Sequence, residues 1–440
     1  MQRAILILLL LIQSCFALCQ VNLFKDDLPD ICLQRTTLNI TEVMVHDVAS
    51  PPVAARFYAY SLLSGYIAAK TIDNTLPDIL SVLKENSLRN HSLNGDNADL
   101  ELTCLYAILQ TAKKLLPSSY LLEQRQQELV NNFRMKNINK DSADASLQLA
   151  VSIADKVVEW AKKDGYFSLS SLPRYITKEG AGYWQPTPPA YMQPVEPNWQ
   201  TIKTFFIDSS SQFKIEEPVA FNTNQTSAFY ELCHEVYTVS KTLTDEKKII
   251  ANYWDCNPFA LSMMGHVSVA SKKISPGGHW INIIGQVCRQ NKLSLSKSLF
   301  IHSVIAMGMH DAFVSCWHQK YLTNRIRPQT VITDIIDANW QPLLQTPPFP
   351  EYTSGHSVLS TMAAELMTQF LGDNVIFKDN TGVNFEMPER TFTSFKMAAD
   401  EACISRLYGG IHFRDAIENG MKEGKAIGVY IINRLNLKRL

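Results

Sequence analysis

The longest helical pattern in this chain runs from Leu293 to Tyr321, and it constrains the fold more than any other stretch. Apolar residues recur at helical spacing from Val53 to Ala69 and from Ala143 to Asp164 as well, whereas strong strand alternation is missing from the sequence. The sequence therefore predicts an all-α protein. Because 440 residues exceed one ordinary core, we expect two domains or one large helical assembly.

Changes in the pattern divide the chain into four segments. Residues 1–19 form a targeting segment, residues 20–169 an N-terminal helical region, and residues 201–440 a C-terminal helical region. The first helix is expected to begin at Ile40, after an irregular lead-in. Residues 170–200 contain six prolines and several aromatics. Their composition is typical of a linker, although the aromatic side chains would be costly to leave in water.

The targeting segment predicts an exported protein. A basic start at residues 1–3 precedes an apolar run from Ala4 to Ile12 that is too short to span a bilayer. Two processing outcomes remain open, namely a lipid anchor at Cys15 or cleavage after Cys19. The protein is then periplasmic, a cell-surface lipoprotein or secreted. No later stretch is expected to be long and apolar enough for a transmembrane helix.

Charge and cysteine content exclude several classes of protein. The formal net charge of -1 gives no case for binding nucleic acid or an anionic membrane, so any anion site must be local. The cysteines beyond the targeting segment lack C-x-x-C spacing, which argues against zinc or thioredoxin chemistry. In an oxidising compartment we expect some of them to pair, with at least one left free. They are Cys32, Cys104, Cys233, Cys256, Cys288, Cys316 and Cys403.

Residues 350–356 read Pro-Glu-Tyr-Thr-Ser-Gly-His and precede an apolar run from Val358 to Phe370 that predicts a helix. Ser354, Gly355 and His356 should therefore lie at a helix N-terminus, where free N–H groups and the helix dipole favour an anion. Ser354 can cap the helix, and Gly355 allows close approach of the backbone. His356 adds a group that titrates near neutral pH.

Two further stretches carry complementary chemistry. Upstream, Lys320 is followed by Arg327, which Pro328 forces out of a helical conformation. Downstream, Arg406 is followed by His412. Arginine offers paired donors to anion oxygens, and lysine offers a point charge. We therefore predict a cage for a tetrahedral or trigonal-bipyramidal oxyanion, formed by Lys320, Arg327, Ser354, His356, Arg406 and His412.

Taken together, K-x6-R-P, P-x3-S-G-H and S-R-x5-H resemble the signature of the superfamily of type 2 phosphatidic acid phosphatases (PAP2) and vanadium-dependent haloperoxidases. The signature covers residues 317–415, and a looser resemblance to exported bacterial haloperoxidase-like proteins begins at Thr41 and extends almost to the C-terminus. The resemblance implies helical bundles of this type, with residues 201–440 as the catalytic domain. It also favours an ordered loop over or beside the active site for residues 170–200, and it is compatible with a homodimer.

The resemblance implies roles for three further residues. Trp317, three residues before the lysine, and Phe349, seven before the S-G-H histidine, match the halide pocket of soluble chloroperoxidases. Many members have an acid four residues after the second histidine, a position that is Ala416 here. We expect Asp415, one residue earlier, to orient a ring nitrogen of His412.

A vanadium-dependent haloperoxidase is the first hypothesis, with vanadate as cofactor and peroxide and halide as substrates. His412 would ligate the vanadium, His356 would move protons, and Lys320 would polarise the peroxide. The vanadate oxygens would be held by Lys320, Arg327, Ser354, Gly355 and Arg406.

The second hypothesis is an acid phosphatase without a cofactor. In the same cage, His412 would attack a phosphate monoester to form a phosphohistidine and His356 would protonate the leaving oxygen. A third class binds an oxyanion without turnover, but such a site does not need two titrating imidazoles. His310 and Asp311 resemble the metal-binding pair of HD phosphohydrolases, but the other ligands are missing from the sequence.

Overall fold

The computed structural model describes residues 32–84, 93–264, 267–270, 273–385 and 387–436. Across these residues the secondary structure is almost entirely helical, which confirms the all-α prediction. The targeting segment, with Cys15 and Cys19, lies outside the described residues.

The elements are numbered in chain order. The N-terminal half contains α1 (Leu33–His46), α2 (Pro51–Ile72), α3 (Leu100–Leu115), α4 (Leu121–Met135) and α5 (Lys140–Ala161). The C-terminal half contains α6 (Ala228–Lys241), α7 (Asp245–Tyr253), α8 (Pro276–Gln290), α9 (Leu295–Thr323), α10 (Pro328–Ile335), α11 (Gly355–Leu371), α12 (Phe395–Tyr408) and α13 (Arg414–Arg434). Two antiparallel ribbons pair β1 (Leu261–Met264) with β2 (Val267–Ala270) and β3 (Phe377–Asp379) with β4 (Arg390–Phe392).

Helix α1 begins earlier than the sequence pattern predicted. The irregular lead-in expected up to residue 40 is wrong from Leu33 onward. The start is marked by Cys32, whose Sγ accepts a hydrogen bond from the Arg35 amide at 3.3 Å. Cysteine is outside the usual group of N-cap residues, so the sequence carried no strong start signal there.

Helix α9 forms the centre of the fold and packs against both α2 and α11. It is long and apolar enough to cross a membrane by length and composition, so the expectation that no later stretch would meet that criterion was wrong. The apolar stretch that meets it is entirely buried inside the protein, and buried core helices pass the same test. Burial on all sides explains the absence of an exposed polar face.

Helices α11 and α13 cross closely, and this crossing brings the second and third motifs together. A Cβ atom added to Gly424 would lie 2.2 Å from the carbonyl oxygen of Val358, so only glycine allows the approach. The backbone amide of Ser354 donates to the carbonyl of Ala416 at 3.0 Å, which ties the start of α11 to the first turn of α13.

Residues 170–200 lie against the segment that follows α9. The amide of Trp184 donates to the Asn324 carbonyl at 2.8 Å, and the amide of Ile326 donates to the Gly182 carbonyl at 2.9 Å. Farther along, the amide of Val195 donates to the Pro348 carbonyl at 3.0 Å. The Pro/aromatic segment is therefore attached beside the loops that carry Arg327 and Phe349.

The His310–Asp311 pair has a structural role. The Asp311 carboxylate accepts three backbone N–H groups from residues 205–207 at 2.6–3.0 Å, and His310 Nε2 contacts the Lys203 carbonyl at 3.0 Å. Both side chains are fully buried in α9. The pair fixes the loop of residues 203–207 to the central helix.

Some of the cysteines were predicted to pair, but six of them are buried with free thiols. They are Cys104, Cys233, Cys256, Cys288, Cys316 and Cys403. No disulfide joins these six within the described residues.

Candidate active site

Lys320 lies near the C-terminal end of α9, completely buried. Its ammonium donates to the carbonyls of Pro350 at 3.1 Å and Glu351 at 3.0 Å, and to that of Thr353. These bonds attach the loop before α11 to α9. Burial lowers the pKa of Lys320 to about 8, since a charged ammonium is costly inside the protein.

Arg327 leaves the helical path in an extended conformation before Pro328, as predicted. Its guanidinium donates to the carbonyls of Phe349 and Ile411, both at 2.9 Å, and Nη1 lies 3.2 Å from His412 Nε2. A guanidinium only donates, so Nε2 of His412 is the acceptor and carries no proton. Burial lowers the pKa of Arg327 to about 10.

The other nitrogen of His412 is held by Glu351, a residue that the sequence reasoning missed. Nδ1 lies 2.8 Å from Glu351 Oε1, which also accepts the Phe413 amide at 3.0 Å, and Arg325 Nη1 donates to Oε2 at 3.3 Å. Glu351 therefore fixes both the tautomer and the orientation of the ring. Its position inside P-x3-S-G-H was the one available signal, since a buried imidazole of defined tautomer needs an acceptor.

Asp415 does not take the role expected for it. The contact with His412 Nδ1 belongs to Glu351, whereas the Asp415 carboxylate accepts from Arg325 Nη1 at 2.7 Å and from the Val219 amide at 3.1 Å. Asp415 lies in the first turn of α13 and faces Arg325, so it reaches His412 only through the ion pairs of Arg325 and Glu351.

Ser354, Gly355 and His356 stand at the start of α11, as predicted. Ser354 is the N-cap, and its Oγ accepts the Ser357 amide at 3.4 Å, which leaves the hydroxyl able to donate. Nε2 of His356 is buried and lacks a hydrogen-bond partner among the described residues. Burial, followed by the nearby charge of Arg406, lowers the pKa of His356 well below its usual value, so the ring is neutral at pH 7.

Arg406 reaches the same place from the end of α12. Its Nη2 donates to the carbonyls of Trp254 at 2.8 Å and Ala251 at 3.3 Å, and its Nε donates to Ser405 Oγ at 2.9 Å. The side chain is buried, and burial lowers its pKa. Backbone carbonyls thus hold each of the three cations Lys320, Arg327 and Arg406 in place.

These segments enclose a small cavity of about 30 Å³. The predicted site residues in its wall are Trp317, Phe349, Gly355, His356, Arg406 and His412. Arg327 does not line the cavity but contacts the wall residue His412 through a hydrogen bond. Lys320 is hydrogen-bonded to the loop that precedes α11, and Ser354 lies at the end of this loop. Because Arg327 Nη1 donates to His412 Nε2 at 3.2 Å, an oxyanion that binds this nitrogen must displace the guanidinium from it.

The two aromatic residues of the predicted halide pocket pack together. The rings of Trp317 and Phe349 lie 5.0 Å apart, and the Lys320 ammonium is 5.8 and 5.2 Å from their centroids. Trp317 Nε1 donates to the Val195 carbonyl at 3.3 Å, which connects the pocket to the Pro/aromatic segment. The pocket therefore combines an apolar wall with a nearby buried cation.

The donor set fits an oxyanion. Arg406 lines the cavity together with the imidazoles of His356 and His412, and buried Arg327 lies directly against His412. Burial and the nearby cations, above all Arg327 and Lys320, lower the pKa of His412 well below its usual value, so Nε2 is unprotonated at neutral pH. The arrangement can bind a phosphate-like group and move a proton beside it.

Comparisons with known proteins agree with this geometry. Residues 300–438 match the family model of the VCPO second helical-bundle domain. No curated protein matches the sequence. The crystal structure of the first bacterial vanadium-dependent iodoperoxidase is 37% identical, with a TM-score of 0.84, and the alignment covers 93% of this chain and 98% of that one.

Two further structures share the fold at low identity. The apo-type bacterial vanadium-dependent chloroperoxidase is 15% identical with a TM-score of 0.65, over 88% of this chain and 94% of that one. The holo-type bacterial chloroperoxidase is 14% identical with a TM-score of 0.60, over 93% and 94%.

Proposed function

This chain belongs to the vanadium-dependent haloperoxidase superfamily, and from that premise we propose that it oxidises halide with hydrogen peroxide, using vanadate bound at His412. The observation that carries the proposal is the state of His412. Glu351 holds the proton on Nδ1, and the unprotonated Nε2 accepts from Arg327 Nη1 in a ring that shares the cavity wall with His356 and Arg406.

His412 would hold the vanadate through Nε2, and Lys320, Arg327 and Arg406 would donate to its oxygens. Ser354 and the Gly355 amide would complete the set at the N-terminus of α11. When bound, vanadate supplies Lewis-acid activation of peroxide without a change in oxidation state. Backbone carbonyls already orient the three cations, so apart from the release of Arg327 Nη1 from His412 Nε2 little reorganisation is needed when charge develops.

The remaining residues handle protons and halide. His356, neutral and with a free Nε2, would accept a proton from incoming peroxide and return it to the departing oxygen. Trp317 and Phe349 would provide the apolar wall for a halide, and the Lys320 charge beside them would attract it. We propose iodide as the halide, because the 37% identical structure is an iodoperoxidase.

The acid-phosphatase alternative is less well supported by the state of His356. In that reaction His356 must carry a proton to give to the leaving oxygen. Burial and Arg406 keep its pKa well below the usual value, so the ring is a base rather than an acid at neutral pH. We also propose that the protein is exported, because of its N-terminal segment, and that it acts as a homodimer, as the family resemblance implies.

A paired assay on one preparation tests the reaction. Purified protein is incubated with orthovanadate, and oxidation of iodide and of bromide by peroxide is followed, while hydrolysis of an aryl phosphate is followed without vanadate. We expect halide oxidation that requires vanadate and is suppressed by phosphate. Phosphate release that vanadate inhibits, without halide oxidation, would replace the proposal by the phosphatase.

The matched variants are His412→Ala and His318→Gln. His318 also lies on α9 but is half-buried outside the cavity wall. We expect His412→Ala to lose halide oxidation and His318→Gln to keep it. Full activity in His412→Ala would rule out the assigned site.

A further inference from the structure

Cys256, His279 and Asp379 form a chain of contacts next to the active-site cavity. Cys256 Sγ lies 3.5 Å from His279 Nδ1, and His279 Nε2 lies 2.7 Å from Asp379 Oδ2. The three residues come from the loop after α7, the first turn of α8 and the end of β3, so none belongs to the three motifs. All three residues are buried, with 0–2% of their surface exposed.

The surroundings of the histidine favour its protonated form. The Asp379 carboxylate also accepts the Thr381 amide at 2.9 Å, which fixes it opposite the ring. The Trp254 indole stacks on the imidazole at 4.6 Å with an interplanar angle of 19°, a geometry that stabilises a cation. Burial alone would lower the pKa of His279, but the Asp379 charge outweighs it and raises the pKa to about 10.

Cys256 is accessible from two cavities although its own surface is small. One is the active-site cavity, whose wall it shares with His356 and Arg406. The other, of about 480 Å³, contains His279 together with the paired charges of Asp255 and Lys273. Hydrogen peroxide is about as small as water, so both cavities can admit it next to Cys256.

We propose that Cys256 is a peroxide-reactive thiol, activated by its contact with His279 and by Asp379 on the other side of that ring, and that hydrogen peroxide oxidises it to a sulfenic acid. The thiolate sulfur attacks one peroxide oxygen, an S–O bond forms and the O–O bond breaks. The departing hydroxide takes the proton from His279 Nδ1 and leaves as water. Sulfur is oxidised by two electrons and peroxide is reduced by two, so that thiol and peroxide give sulfenic acid and water.

The added oxygen has a consequence for turnover, which rests on the proposed function. It would protrude into the wall of a cavity of about 30 Å³ beside His356. Oxidation of Cys256 would therefore slow halide oxidation, and a thiol reductant would restore it. Peroxide would then act both as substrate and as an inhibitor that limits product formation.

The test is to expose the full chain to peroxide without vanadate or halide and to trap sulfenic acid with dimedone. Peptide mass spectrometry then locates the adduct. Cys288 and Cys403 are internal controls, since burial raises the pKa of each thiol to about 12. We expect the Cys256 adduct to form at least about 10-fold faster than either control, because the thiolate is the reactive form.

Two variants show whether the neighbours activate the thiol. His279→Gln and Asp379→Asn should each slow the adduct at Cys256 by about 10-fold, and circular dichroism shows whether they fold. Wild-type protein whose Cys256 adduct forms no faster than those of the controls overturns the proposal, whatever the variants do. Mass spectrometry detects the adduct without enzyme turnover, so the Cys256 proposal stands even if the haloperoxidase proposal fails. Loss of activity without an adduct at Cys256 counts against the Cys256 proposal.

Discussion

The contact between His412 and Glu351 gives the sharpest test of the site, through Glu351→Gln. The carboxylate accepts from His412 Nδ1 at 2.8 Å, from the Phe413 amide at 3.0 Å and from Arg325 at 3.3 Å. A glutamine has one accepting oxygen. If that oxygen faces His412, the side-chain NH2 group of the glutamine faces the Arg325 guanidinium, and two donors meet. If it turns away, the amide faces Nδ1, and the proton of the ring moves to Nε2, where it blocks ligation.

The magnitude follows from the charge of the lost bond. A hydrogen bond to a charged group contributes about 1.5–3 kcal/mol, and about 1.4 kcal/mol corresponds to a tenfold change in Kd. We therefore expect the Kd for vanadate to rise about 10- to 100-fold in Glu351→Gln, the range typical for partners that orient a metal ligand.

The assay is isothermal titration of the metal-free protein with orthovanadate, with chemical unfolding measured in parallel. Asp415→Asn is the matched control, because Asp415 binds the same Arg325 at 2.7 Å without reaching His412. We expect it to lower stability by about 1–3 kcal/mol but to change the vanadate Kd less than about threefold. Equal loss of vanadate affinity in both variants would refute the role assigned to Glu351.

Three further predictions concern α9. Burial lowers the pKa of Lys320 to about 8, so its side chain is charged below that pH. The affinity for phosphate, measured by titration, should therefore fall as the pH rises through about 8. In Lys320→Arg the side chain stays charged, and the fall in affinity should move to higher pH. In Asp311→Asn the side-chain NH2 group faces backbone N–H groups of residues 205–207 that bind a carboxylate in the wild-type protein. The free energy of unfolding, measured in urea, should fall by about 2–4 kcal/mol. The folded variant should keep its halide oxidation. Trp317→Phe removes the hydrogen bond to the Val195 carbonyl, which contributes about 1 kcal/mol to stability. Trypsin should therefore cleave residues 170–200 faster in this variant. An unchanged cleavage rate would contradict the attachment of that segment.

Local pattern was sufficient for most of the helices and for choosing the residues that we propose bind the anion. Helical periodicity predicted the class and most helix positions, and Pro328 and the S-G-H stretch predicted extended Arg327 and the helix start at Ser354. These features depend on a few neighbouring residues. The start of α1 was not predicted, because its N-cap residue is a cysteine.

The partners of the catalytic side chains were decided by tertiary structure. Glu351 and His412 are 61 residues apart, and His279 and Asp379 are 100 apart, so neither pair follows from a local pattern. Asp415 was the nearest acid to His412 in sequence, yet its place in the first turn of α13 directs it to Arg325. The sequence by itself determined which residues supply the charged groups of the site and where most helices begin. Only the crossing of α11 and α13 on α9 decided which carboxylate meets which imidazole, because buried polar groups bind whichever partner the packing brings within hydrogen-bonding distance.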